Sequence, residues 1–126
     1  MLPIAHILVV DDTSAVREVL KDYLEELDYH VDVAPDGYRA LEMVDRCRPD
    51  LVLLDLSMPG LHGEDVLACL RLREPDLPVV VLSGNADVSV GRYLLARGAF
   101  DYIPKPIHFD YLEQVIAAAL VQVAAA

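Results

Sequence analysis

The chain has no tryptophan, two cysteines and fewer than half as many basic as acidic residues: 10 Lys and Arg against 21 Asp and Glu, a formal net charge of −11 and a pI of about 4.5. Such a charge balance repels phosphate backbones and anionic membrane surfaces, which argues against direct binding to nucleic acid or to a membrane. Cys47 and Cys69 form no CxxC pair, and His6, His30, His62 and His108 are scattered, so no zinc spacing is evident and a reduced, cytoplasmic setting is expected. The longest apolar stretch, Val115 to Val121, falls far short of the roughly 20 residues of a membrane span. His6 and then Asp11-Asp12 interrupt the N-terminal apolar run before it resembles a signal peptide. Repeats, low-complexity tracts and internal linkers are also lacking. What the chain does have is apolar residue, 55% of 126 positions with a mean hydropathy of +0.35, enough to build the core of a single domain spanning residues 1–126.

The apolar residues come in alternating patterns. Short runs at Ile7–Val10, Val31–Ala34, Leu51–Leu54, Val79–Leu82 and Phe100–Ile103 read as strands. Between them, helical spacing appears at Val16, Val19, Leu20, Tyr23, Leu24 and Leu27, then at Ala40, Leu41, Val44 and Cys47, and at Val66, Leu67 and Leu70. A weaker helix is expected over 85–97, where Gly91 and β-branched residues lower propensity. A last one follows Leu112, Val115, Ile116, Ala119, Leu120 and Val123. Five strand–helix alternations predict an α/β fold: a doubly wound, five-stranded parallel sheet with helices on both faces, of flavodoxin-like order 2-1-3-4-5.

Four of the five runs lead directly into groups that handle phosphate or a hard cation. The first delivers Asp11-Asp12, the third Asp55, the fourth Ser83 and the fifth Lys105. In open α/β sheets the ligand crevice lies at the carboxyl ends of the strands, so these residues can converge. Two like charges 4 Å apart repel by about 4 kcal/mol at an effective dielectric of 20, so three gathered aspartates call for a cation. Lys105 supplies one charge; an all-oxygen pocket suits Mg2+, which favours one or two carboxylates with phosphate and water. A carboxylate such as Asp55 can attack phosphorus to give an aspartyl phosphate. Singly, each group has an ordinary reading: a turn and N-cap at Asp11-Asp12, a solvated loop at Asp55, a helix cap at Ser83, a surface lysine at 105.

Asp11-Asp12, Asp55-Leu-Ser-Met-Pro59 with Gly63, Ser83-Gly84 and Asp101-Tyr-Ile-Pro-Lys-Pro106 together resemble, in type, order and spacing, the receiver domain of two-component response regulators. The resemblance spans essentially the whole chain. It implies phosphoryl transfer from the phosphohistidine of a sensor histidine kinase to Asp55. It further implies Mg2+ held by Asp12, Asp55 and the main-chain carbonyl of Ser57, with Asp11 acting mainly through water. Ser83 and Tyr102 fall at the switch pair, Lys105 at the cation that meets the phosphoryl group, and Lys105-Pro106 at a peptide that is often cis in the family. Output is then expected through the face made by the fourth helix, fifth strand and fifth helix, acting on an effector, on an output domain absent from this chain toward which the last helix continues, or on a phosphorylation-dependent homodimer.

Some positions depart from the family's commonest pattern. Gly84 stands where Ala is frequent, and Ser57 and Asn85 occupy positions that tune the lifetime of the phosphorylated state. Phe100 precedes Asp101 where charged-face dimers carry an acid, and nothing basic follows Lys105. Three other functions remain open on the sequence: a pseudo-receiver that binds partners without phosphorylation, an aspartate-nucleophile phosphatase of the haloacid dehalogenase type, and a flavodoxin-like FMN carrier. The second would want an acid where Ser57 stands; the third would want a Ser/Thr-rich phosphate loop after the first strand.

Overall fold

The computed structural model describes residues 4–56, 63–84 and 88–125, with backbone only at 88 and 122–125. Five strands and five helices alternate: β1 His6–Val10, α1 Ser14–Glu26, β2 His30–Ala34, α2 Gly37–Arg46, β3 Leu51–Asp55, α3 Gly63–Arg73, β4 Val79–Ser83, α4 Val88–Ala96, β5 Asp101–Pro104 and α5 Phe109–Ala125. The strands form one parallel sheet of order β2-β1-β3-β4-β5, the predicted order. Among the described residues the strands sit within one residue of their sequence-based positions and the helices within three, with α4 beginning at Val88; Asn85 lies outside the described residues. Phe100 precedes β5 rather than opening it.

Burial on both faces explains the unbroken apolar strands. Leu8, Val10, Val52, Leu54, Val79 and Val81 point to one side, where they meet Ala40, Leu41 and Val44 of α2, Val66, Leu67 and Leu70 of α3 and Leu94 of α4. Ile7, Val9, Leu51, Leu53, Val80 and Leu82 point to the other, against Leu20 and Leu24 of α1 and Leu112, Val115, Ile116 and Ala119 of α5. Neighbouring residues of a strand alternate between these two cores, as a period of two requires. Val19, part of the apolar pattern of α1, is instead 54% exposed.

Two helices end in the same way. After α4, Gly98 at φ +102° donates its N–H to Leu95 O while Ala99 N–H reaches Leu94 O, the paired bonds of a Schellman end. After α1, Asp28 at φ +68° does the same with Glu25 O, and Tyr29 with Leu24 O. These ends turn the chain sharply into β5 and β2, so that every strand starts at the same edge of the sheet and ends at the other.

Candidate functional site

The carboxyl ends of β1 and β3 are adjacent, and the connections from them leave toward opposite faces, which makes this the switch point at which open α/β sheets carry their ligand crevice. Asp11 follows β1 and Asp55 closes β3; they are 0% and 1% exposed, while Asp12 is exposed. Each of Asp11, Asp12 and Asp55 offers a carboxylate oxygen within 4.8 Å of the others. Ser83, also buried, ends β4 one residue beyond Leu82, the register partner of Asp55. Lys105 reaches in from the end of β5, its Nζ 3.2 Å from Asp55 Oδ1 and 4.0 Å from Asp11 Oδ2. The main-chain N–H of Lys105 donates to Ser83 O at 2.8 Å, so the lysine loop is tied to the residue that ends the neighbouring strand. The Lys105–Pro106 peptide is cis.

Local bonds hold the acids in place. Asp11 Oδ1 accepts the N–H of Thr13 at 2.9 Å, an Asx-type turn that directs the chain into α1. Arg17, one turn into that helix, donates to the main-chain carbonyl of Asp11 at 2.7 Å. Sequence reasoning missed Arg17, since a basic residue on a helix carries no signal that its head folds back to a carbonyl six residues earlier. A Cβ at Gly63 would lie 2.7 Å from Leu56 Cα and 2.9 Å from Asp55 O, so only glycine lets the start of α3 pass this close to the end of β3.

The other buried oxygen of Asp11, Oδ2, has no hydrogen-bond donor among the described residues. Burial pushes the Asp11 carboxyl above its ordinary value of 3.8; Asp55 and Asp12 push the same way, and the Thr13 N–H and Lys105 oppose them. A carboxyl raised in the fold contributes stability that is complete below its unfolded value and lost as pH rises through the folded one. At neutral pH, ionised Asp11 therefore costs stability unless a cation answers it. Asp11→Asn keeps the acceptor for Thr13 and removes the charge; without divalent metal at pH 7 it should gain roughly 0.5–2 kcal/mol, a few degrees in Tm. Thermal melts across pH check this: the gap to the parent should narrow as pH falls through the raised value and close below 3.8, the ordinary value.

Of the residues singled out from the sequence, the structure brings together Asp11, Asp12, Asp55, Ser83 and Lys105. Ser57, His62 and Asn85 lie outside the described residues. Tyr102 stands apart from the acids on β5, beside Val81 and on the Ser83 side of the sheet, where its half-buried ring rests on α4. A Cβ added to Gly91 would lie 2.0 Å from Tyr102 Cε1 and 2.4 Å from Cζ. Gly91 thus weakens α4 in the sequence and seats a ring in the structure.

Fold and side chains together define a doubly wound α/β domain that gathers three aspartates and a lysine at its topological switch point. The chain belongs to the response regulator receiver domain family, whose pattern it matches over residues 7–117. It is 46% identical over 114 residues to Response regulator MprA of Mycobacterium leprae, covering 90% of this chain and 50% of that one, and 45% identical over 106 residues to the protein of that name from Mycobacterium avium, covering 84% and 46%. The chain therefore spans about half the length of these curated relatives. Among solved structures it resembles the receiver domain of the Francisella response regulator 1452 (TM-score 0.89, 29% identity, 94% and 98% coverage). It also resembles a CheY-like receiver protein from Methanospirillum hungatei (TM-score 0.91, 26% identity, 98% of each chain). Among the described residues no helix is long and apolar enough to cross a membrane.

Proposed function

We propose that this receiver domain takes a phosphoryl group onto Asp55 from the phosphohistidine of a sensor histidine kinase and passes the event to the face formed by α4, β5 and α5. The observation that carries the reading is the pairing of buried Asp55 with Lys105 Nζ at 3.2 Å inside a three-aspartate cluster. A carboxylate oxygen of Asp55 attacks phosphorus as the P–N bond breaks; the imidazole leaves with the electron pair and is protonated. The ammonium of Lys105 meets the phosphoryl oxygens, and the Ser83 hydroxyl donates to one of them. Phosphoryl transfer depends chiefly on positioning and charge neutralisation, and these groups supply both.

The donor set fits a hard divalent ion: it is all oxygen, and the buried Oδ2 of Asp11 lacks a donor. Asp12, Asp55 and the main-chain carbonyl of Ser57 would hold Mg2+, with Asp11 acting through water. When bound, the ion supplies the positive charge that lets an acid cluster accept a dianionic phosphoryl group. The domain is then a phosphoacceptor that assists its own phosphorylation and dephosphorylation, rather than an enzyme acting on an outside metabolite. Exposed Val19 and Phe109 line an apolar depression beside Lys105 and Pro106, a surface on which a donor protein can rest while its histidine reaches the cleft.

Incubation with acetyl phosphate tests the chemistry without a kinase. Intact-mass measurement should show one phosphoryl addition with Mg2+ and none with EDTA. Equal labelling in both would remove the metal from the reading. Lys105 tests the coupling: its backbone bond to Ser83 O and its ammonium at Asp55 make it the link between cleft and β5. Lys105→Ala should still accept phosphate, while beryllofluoride, a phosphoryl mimic, should shift amide resonances from Ser83 to Tyr102 far less than in the parent. Matching shifts would place the link elsewhere.

A further inference from the structure

At the opposite edge of the sheet from the acid cluster, three side chains that are dispersed in the sequence meet. His6 and His30 open β1 and β2 and are register partners; Asp32, two residues along β2, projects to the same face as His30. His6 Nε2 is 2.7 Å from Asp32 Oδ2, and His30 Nε2 is 3.6 Å from that same oxygen. One ligand atom from each residue lies within 4.8 Å of the other two. The imidazole rings are 4.7 Å apart and tilted by 41°. The lack of zinc spacing in the sequence does not extend to space, because parallel pairing with a register of His6 on His30 creates the juxtaposition.

We infer that His6, His30 and Asp32 form a binding site for a divalent transition ion of the Zn2+ class, separate from the phosphoacceptor cleft. Zn–N and Zn–O bonds of about 2.0–2.2 Å at tetrahedral angles put ligand atoms about 3.4 Å apart, so separations of 2.7 and 3.6 Å need only small side-chain adjustments. Two neutral imidazoles and a carboxylate suit Zn2+, Cu2+ or Ni2+ far better than Mg2+, which seeks oxygen. A plain histidine–carboxylate pair accounts for His6 with Asp32. The His30 nitrogen, 3.6 Å from the same oxygen, adds a third ligand atom within 4.8 Å of the other two.

The surroundings favour a preformed site. Asp50 clamps the backbone of His6 from both sides: its Oδ2 accepts the His6 N–H at 2.7 Å, and its own N–H donates to His6 O at 2.7 Å. The His30 N–H is held by Ala5 O at 2.9 Å. The side chain of His6 is 15% exposed, whereas those of Asp32 and His30 are 45% and 63% exposed, so an ion can enter from solvent and keep water on its open side. Arg39 and Arg46 line the adjoining depression; Arg39 is occupied by Glu42, which moderates its repulsion. Strands of five residues rising about 3.3 Å each place this cluster roughly 15 Å from Asp11, so the two sites bind independently. A bound ion would cross-link the edge strand β2 to β1.

Titration with ZnCl2 against a chromogenic chelator of micromolar affinity, in excess Mg2+ to fill the cleft, tests the inference. One Zn2+ per chain should be taken from the chelator, with imidazole resonances of His6 and His30 shifting and those of His62 and His108 unmoved. His30→Gln, on an exposed side chain, and Asp32→Asn should each weaken binding at least roughly tenfold, the scale on which even outer-shell partners of metal ligands act. Asp12→Ala should leave it unchanged. Failure to compete with the chelator, full affinity in both His30→Gln and Asp32→Asn, or loss of binding in Asp12→Ala would overturn the site.

Discussion

Asp55→Ala should accept no phosphoryl group from acetyl phosphate or from a phosphorylated kinase domain, a loss of the whole signal rather than a reduction. The other acids cannot substitute. Asp12 is exposed, and Asp11 uses Oδ1 for the Thr13 N–H while its Oδ2 stands 4.0 Å from the lysine that Asp55 meets at 3.2 Å. A nucleophile must sit where the developing charge is met, and a displacement of about 1 Å can cost on the order of a hundredfold in rate. The same substitution should not unfold the domain. It removes one of three crowded negative charges, so Tm without metal should hold or rise while labelling vanishes. Intact-mass and thermal measurements on one sample check both halves, and residual labelling at the parent rate would reassign the acceptor.

Gly91→Ala should change the sign of its effect with the residue at 102. Helix propensity alone favours Ala over Gly by about 1 kcal/mol in a helix interior. Yet a Cβ at 91 would stand 2.0 Å from Tyr102 Cε1 and 2.8 Å from Cδ1, so the ring must leave its seat on α4. Overpacking of this kind costs about 1–3 kcal/mol, enough to lower Tm by several degrees in a domain of this size. In a Tyr102→Ala background the obstruction is absent and Gly91→Ala should stabilise by up to about 1 kcal/mol. A double-mutant cycle should therefore show strong coupling between α4 and β5. Equal effects in the two backgrounds would mean that the ring does not bear on the helix. Tyr102 and Ser83 share a sheet face, since Val81, the register partner of Tyr102, lies two residues before Ser83. A ring seated against a glycine can be displaced without breaking the helix that carries it.

The fold was largely legible because its signal is local. Four-residue apolar runs that alternate with helical spacing leave little choice but a parallel sheet covered on both sides, and residues at successive strand ends must then share one edge. Asp11, Asp55, Ser83 and Lys105 were found for that reason: their positions along the strands, not their neighbours in space, mark them. What the sequence hid depends on register and on side-chain direction. His6 and His30 look scattered until β1 and β2 pair. Gly91 looks like a weakness in α4 until the Tyr102 ring is seen beside it. Val19 fits the apolar stripe of α1 yet faces solvent next to Pro106 and Phe109, because periodicity places a residue on a helix face without saying how far the sheet beneath extends. Phe100, just before Asp101, is half-buried against the core shared with α1 and α5.

Borohydride trapping locates the phosphoacceptor most directly. An aspartyl phosphate is an acyl phosphate, so borohydride reduces it to homoserine and leaves a permanent mark on the residue that carried it. After incubation of the parent with acetyl phosphate and Mg2+, peptide mass mapping should find homoserine at position 55 alone, and none when EDTA is present. Homoserine at 11 or 12, or a phosphoryl group retained elsewhere with position 55 unmodified, would contradict the assignment of Asp55 as the phosphoacceptor.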